Sequence, residues 1–271
     1  MSNSITKTKI PHLGSFDFKI KHTETDRQSH SHETDIHTHN EFEIYINLAG
    51  DISFLVESSI YPVKRGDVII SRPGEHHHCI YKSDAPHKLY WILFDCKKNK
   101  DILEYWLNGS GNNFISPEGD TREELLEICD TLHKNECSQE EKIYCFFRML
   151  KILKISSKSQ NKKSPSTPKE LTSIIEYINS HIYEDIKITD ICKALYISQS
   201  TVERRFKEHL KMSPVEFIRQ KKMVLAAEML KSGESVTNVG QTVGYADNSH
   251  FIKLFKRYYG VTPYQYKKQR I

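Results

Sequence analysis

Up to about Cys96, apolar and polar residues alternate with a period of two. Ser15-Phe-Asp-Phe-Lys-Ile-Lys, Glu41-Phe-Glu-Ile-Tyr-Ile and Ile52-Ser-Phe-Leu-Val-Glu each send one set of side chains to a single face. Turn residues separate the runs at Ala49-Gly-Asp, Arg65-Gly-Asp and Arg72-Pro-Gly. Short strands spaced in this way predict an antiparallel sandwich or barrel. The period then lengthens. Thr121 as N-cap, with Glu124 as its capping-box partner, predicts a helix through His133. A second helix is expected from Glu140 to Ile155, with Ile143, Phe146, Phe147, Leu150 and Leu153 on one broad face. That face either covers the sheet or meets a second copy of itself. Residues 156–168 contain no apolar residue and end Pro-Ser-Thr-Pro, as a linker does. The expected layout is a multidomain α+β protein. Residues 1–155 form the first domain (barrel about 10–100, helices about 120–155), 156–168 the linker and 169–271 an all-helical domain.

The helical part repeats itself. Ile188-Thr-Asp-Ile-Cys-Lys-Ala-Leu parallels Val236-Thr-Asn-Val-Gly-Gln-Thr-Val, and after the turn Val202 pairs with Phe251, Phe206 with Phe255 and Pro214 with Pro263. Each copy reads as a short helix, a tight turn, a second helix and a Ser-Pro or Thr-Pro stop: a helix-turn-helix unit, at about 188–209 and 236–258. Gly244 supplies the backbone freedom of the second turn, and Asp247 or Asn248 caps the helix after it. Val202, Phe206 and Leu210, and in the second copy Phe251, Leu254 and Phe255, must face a core. Gln199, Ser200, Thr201, Glu203, Arg204 and Lys207 are then the candidate reading residues of the first unit. Asn248, Ser249, His250, Ile252, Lys253 and Lys256 are those of the second. Such a front suits the DNA major groove, where Arg and Lys reach guanine O6 and N7. Pro214 to Lys231 reads as one continuous helix of roughly 27 Å. It could hold two readers about one DNA turn apart, roughly 34 Å.

Charge sharpens this division. Residues 1–155 carry 19 Lys and Arg against 24 Asp and Glu, whereas residues 169–271 carry 17 against 11, so the rear half is the one suited to a polyanion. The composition, 38% hydrophobic and 27% charged, is that of a globular protein. No apolar run approaches membrane-spanning length and the first residues lack a signal-peptide core, so a cytoplasmic location with no membrane partner is expected. Six cysteines without a Cys-x-x-Cys pair predict buried reduced thiols. The stretch from Gly244-Tyr-Ala-Asp-Asn-Ser-His-Phe through Gly260-Val-Thr-Pro-Tyr-Gln-Tyr resembles the C-terminal signature of AraC/XylS-type transcription regulators. The resemblance covers about residues 169–269. It implies sequence-specific binding to double-stranded promoter DNA, usually beside RNA polymerase. Tyr196 and Lys211 depart from it, standing where the family has glycine.

One motif remains. His37-x-His39, then Glu43, offers two imidazoles and a carboxylate, which suit Mn, Fe, Ni or Zn. The stretch through Gly50 is similar to the first cupin motif, and Gly66-Asp through His77 to the second, with Arg72 where proline is usual. In metal-binding cupins the positions matching His37, His39, Glu43 and His77 converge on one ion inside a small barrel. Three readings are open at this point. A sensor pocket, with or without a divalent metal, would bind a small-molecule effector and bias the DNA-binding half. A metal-dependent cupin enzyme with an accessory DNA-binding tail is the alternative. The third reading is structural. AraC-type regulators often carry such a barrel as the effector domain, so a non-enzymatic sensing regulator, acting as a homodimer, is expected.

Overall fold

The computed structural model describes residues 3–10, 14–25, 36–94, 112–134, 137–159 and 167–268. Contacts divide the chain into two compact units, the second made of 167–271 together with the short stretch 35–37.

The first unit is built on two antiparallel sheets. One has six strands in the order β1 (Asn3–Ile10), β2 (Gly14–Thr25), β8 (His87–Phe94), β3 (Phe42–Ala49), β6 (Val68–Ser71) and β9 (Phe114–Ile115). The other has three, β5 (Ser59–Val63), β4 (Ile52–Val56) and β7 (His77–Tyr81). The expected barrel does not close: among the described residues no strand of one sheet pairs with a strand of the other. The turns at Gly50, Gly66 and Gly74 carry three of the crossings between the sheets, and residues 82–86 carry another. Each of these glycines has a positive φ, so the corners are sharp and leave the sheets facing each other.

Alternation along β3 serves two interiors. Phe42, Ile44 and Ile46 pack with Ile70, Ile92 and Phe94 beneath two helices, α1 (Gly119–His133) and α2 (Gln139–Ser159). Tyr45 packs in the opposite direction with Phe54, Val56 and Tyr61 of the three-stranded sheet. The apolar face of α2 is used here. Phe146, Leu150 and Leu153 are fully buried in the cluster under the helices, and Phe146 meets Phe94 edge-on at 5.5 Å. Of the two roles open to that face, the fold assigns it to the protein's own sheet.

Helix limits differ from the expected ones for local reasons. The first helix starts at Gly119, two residues before Thr121, and Glu124 pairs with Arg148 on α2 (2.7 Å) and does not close a capping box. The reciprocal box belongs to α2: Ser138 Oγ accepts the Glu141 N–H (3.2 Å), and Glu141 Oε2 accepts the Ser138 N–H (2.9 Å). The second helix continues to Ser159, into the expected linker, with Ser156 buried and Ser157 Oγ donating to the Lys154 carbonyl (2.9 Å). Cys79, Cys129, Cys137, Cys145 and Cys192 are free thiols, of which Cys129 is fully buried and the others half-buried.

The second unit runs α3 (Lys169–Ser180), α4 (Ile188–Leu195), α5 (Gln199–Leu210), α6 (Pro214–Lys231), α7 (Val236–Thr242), α8 (Asn248–Tyr259) and α9 (Pro263–Lys268). Serines cap three of these helices: Ser198, Ser213 and Ser235 each accept the backbone N–H three residues on. Two cores form. Phe206 meets Phe217 edge-on at 5.3 Å in the first. Met223, Ala226, Ala227 and Leu230 pack with Val239, Phe251 and Phe255 in the second. Tyr196 (φ 56°) and Lys211 (φ 58°) sit in the left-handed region that favours glycine, so the first helix-turn-helix motif keeps its turn geometry with residues that resist it.

That conformation costs an L-residue about 1–2 kcal/mol, and glycine's extra freedom in the unfolded chain returns about 0.4–1 kcal/mol of the gain. Lys211→Gly is therefore expected to stabilise the second unit by about 0.5–1 kcal/mol. Denaturant unfolding of the full chain checks this; an unchanged or lower midpoint would remove the strain argument.

Candidate ligand and nucleic-acid sites

In the first unit three of the four motif residues come together: His39, Glu43 and His77 each place one ligand atom within 4.8 Å of the others, while His37 falls in the short stretch grouped with the second unit. Glu43 lies on β3 on the same face as Tyr45, and His77 opens β7 on the facing sheet. Glu43 Oε2 is 3.1 Å from His39 Nε2 and 3.6 Å from His77 Nε2, and both Glu43 and His77 are buried. The other nitrogen of each ring faces a backbone carbonyl: His39 Nδ1 meets Glu41 O at 3.0 Å and His77 Nδ1 meets Glu75 O at 2.9 Å. A carbonyl only accepts, so each Nδ1 carries the proton. Both Nε2 atoms then face the Glu43 carboxyl group. Orientation of ligating imidazoles by carbonyls on their far side is the arrangement metal sites use.

Around it lies a polar row that single residues in the sequence did not single out. His87 on β8 bonds the Tyr45 hydroxyl through Nε2 and lies 3.1 Å from the Tyr81 hydroxyl through Nδ1. Asn47 is 1% exposed, and neither atom of its amide has a hydrogen-bond partner among the described residues; the same holds for the Ser71 hydroxyl. Burial pushes the Tyr45 phenol well above its usual range and the Cys79 thiol up to about 12, so both stay protonated at neutral pH. The period-two pattern already puts Glu43, Tyr45 and Asn47 on one face. His87 arrives from a distant strand and had no local signal.

In the second unit the candidate readers occupy the N-terminal parts of α5 and α8. Ser200, Glu203, Arg204 and Lys207 are exposed, as are Ser249, His250, Lys253 and Lys256. Gln199 Nε2 donates to Glu203 Oε1 (2.8 Å), and Arg204 lies 3.6 Å from Glu208. Thr201 is half-buried against the Ser198 cap (2.9 Å). Two residues expected to face outward are held inward. Ile252 is half-buried against the second core, and Asn248 donates through Nδ2 to Thr237 Oγ1 (3.1 Å), joining the two helices of its unit. The reason is geometric: Asp247 caps α8 through Ser249 N–H (2.7 Å), which makes Asn248 its first residue, turned toward α7.

Two family models match the chain. The AraC-like ligand binding domain covers residues 22–149 and a helix-turn-helix domain covers residues 191–269. Among named relatives, the HTH-type transcriptional activator RhaR of Mannheimia succiniciproducens is 24% identical over 244 residues, covering 87% of this chain and 88% of that protein. The raffinose operon transcriptional regulatory protein RafR of Pediococcus pentosaceus is 28% identical over 220 residues, 76% of each. Among solved structures, the C-terminal domain of AraT, a response regulator from Geobacillus stearothermophilus, matches 39% of this chain and 89% of its own, with 26% identity and a TM-score of 0.38.

A pH dependence follows from His77. Burial opposes its charged form, but the Glu43 carboxylate and the Glu75 carbonyl outweigh it and hold the pKa above the ordinary 6.5. A raised folded-state pKa adds stability that is fully present below 6.5 and is lost as pH rises through the folded value. Chelator-treated protein is expected to lose stability between pH 6.5 and neutral or mildly alkaline pH, with a smaller slope for His77→Gln. Equal slopes in denaturant titrations of the two proteins would contradict this.

Proposed function

The chain is an AraC/XylS-type transcription regulator, and from that premise we propose how its two units divide the work. The first senses a small-molecule effector in the space between its sheets. The second reads double-stranded promoter DNA through two successive helix-turn-helix units. The observation that carries this reading is the duplicated motif on a basic unit, with polar and cationic side chains at the exposed start of both α5 and α8. In the first helix-turn-helix motif Gln199, Ser200, Glu203 and Arg204 are assigned to base edges and Lys207 to phosphate, with Thr201 supporting them. In the second, Ser249, His250 and Lys253 are assigned to base edges and Lys256 to phosphate, while Asn248 and Ile252 set the pose of the helix. RNA polymerase is the protein partner, and a homodimer would double the number of readers. No described helix is long and apolar enough to cross a membrane, in keeping with a cytoplasmic site of action.

His37, His39, Glu43 and His77 fit a divalent transition metal, because imidazole nitrogens and a carboxylate gathered at this spacing are the donors such ions take. A bound ion would supply that charge and an anchor for an effector bearing oxygen ligands. Regulation needs binding alone, so no substrate turnover is expected.

Arg204→Ala is expected to relax preference at neighbouring base pairs at a cost of about 1–3 kcal/mol, while Lys207→Ala weakens all sequences alike and lowers the salt dependence. Binding to selected and random duplexes distinguishes these, and equal losses on both for Arg204→Ala would make it a phosphate contact. Protein purified without chelator should carry about one divalent ion per chain, removed by His39→Ala/His77→Ala with the fold kept. Elemental analysis near zero in the unsubstituted protein would leave a metal-free sensor.

A further inference from the structure

Helix α6 belongs to both C-terminal cores: Phe217 packs into the first and Met223 to Leu230 into the second. Between these apolar stretches lie Gln220, Lys221 and Lys222, at 6%, 4% and 5% exposure. A buried lysine is rare and costly unless its ammonium finds partners. The partners here come from different parts of the second unit. Lys221 Nζ donates to Asn179 Oδ1 (2.6 Å) on α3. Lys222 Nζ donates to the Glu184 carbonyl (2.5 Å), in the turn that leads into the first helix-turn-helix motif, and lies 5.6 Å from the ring centre of Tyr245, in the turn of the second motif.

Gly244 shows how tightly the turns close around that ammonium. With φ at +79°, a Cβ there would stand 2.7 Å from Lys222 Nζ and 2.8 Å from the Glu184 carbonyl oxygen. The glycine is thus fixed by approach as well as by conformation. Burial lowers the Lys222 pKa, partly offset by Asp185. Neither apolar core needs the ammonium for its own packing. What it joins is the approach to one reader and the turn of the other.

We infer that Lys222 is a positioning residue that fixes the separation and rotational phase of α5 and α8. It would thereby set the number of base pairs between the two sub-sites one chain reads. The inference rests on the reading that both units enter DNA. A joint at mid-helix is a sensitive place for such control, because a small rotation there moves each reader along the groove.

The test uses the full chain and a duplex it selects from a random pool, with one to three base pairs inserted between the two protected sub-sites. The unsubstituted protein is expected to lose at least about 10-fold in affinity on one insertion, because the second contact no longer benefits from the first. Lys222→Met is expected to bind the parent duplex about 5- to 10-fold more weakly and to show an insertion penalty of about 3-fold or less. Its affinity for a duplex with one intact sub-site should be unchanged. Tyr245→Leu, which keeps the ammonium but removes the ring, should flatten the spacing dependence in the same direction, and gives the answer if Lys222→Met does not fold. An unchanged insertion penalty in the folded variants would overturn the inference, as would an equal loss on the single sub-site. If the unsubstituted protein itself ignores insertions, the two-reader reading fails, and the inference fails with it.

Discussion

Strand β3 has to satisfy two incompatible surroundings, and most of the first unit follows from that. Its even-numbered residues, Phe42, Ile44 and Ile46, can be buried only against other apolar groups, and α1 and α2 supply them. Its odd-numbered residues, Glu43, Tyr45 and Asn47, face the second sheet and bring a carboxylate, a phenol and an amide into a space where water is scarce. A slip of one residue would exchange the two sets and bury polar groups beneath the helices. Register is therefore set by chemistry on both faces. The polar row and the core are two outcomes of one alternation.

The C-terminal unit solves a different problem: holding two similar motifs in a fixed relation. Each motif has an aromatic core of its own, and the cores share a single helix. A continuous helix transmits orientation well along its axis but leaves the packing of each motif around it to side chains. Salt bridges at the surface, such as Arg205 with Glu170 (2.6 Å), add little to that. Buried hydrogen bonds that join separate turns restrict rotation far more, since breaking one leaves a desolvated group unmatched.

Much of this was legible in the chain. The alternation at Glu41–Ile46, the repeated helical phrase and the glycine at 244 each encode local geometry through periodicity or backbone freedom, and the architecture follows from them. His39 and Glu43 were legible as neighbouring donor side chains, and His77 joined them only through the resemblance to the second cupin motif. Features that depend on a distant partner were not. Glu124 has the right offset for a capping box, yet Arg148 on the next helix offers it a full charge. Ile252 fell on the outward side of an idealised helix, although the second core extends far enough to cover it. The failure of the sheets to close is a property of edges, and nothing in the local pattern of any one strand records it. Helix α2 outran its expected end because serines can bond back to the preceding turn, which composition reads as linker.

The two readers share a buried skeleton and differ outside it. One presents Ser200, Glu203 and Arg204, the other Ser249, His250 and Lys253. A protein that touched DNA through two identical faces related by a twofold axis would see the same sequence from either end. Two unlike faces joined in tandem would not. The duplex such a chain prefers is asymmetric, with a head and a tail, and inverting it in a promoter would turn the bound protein around. The sensing unit would then be carried toward the opposite side of the site, so duplication followed by divergence gives this fold a sense of direction along the chromosome.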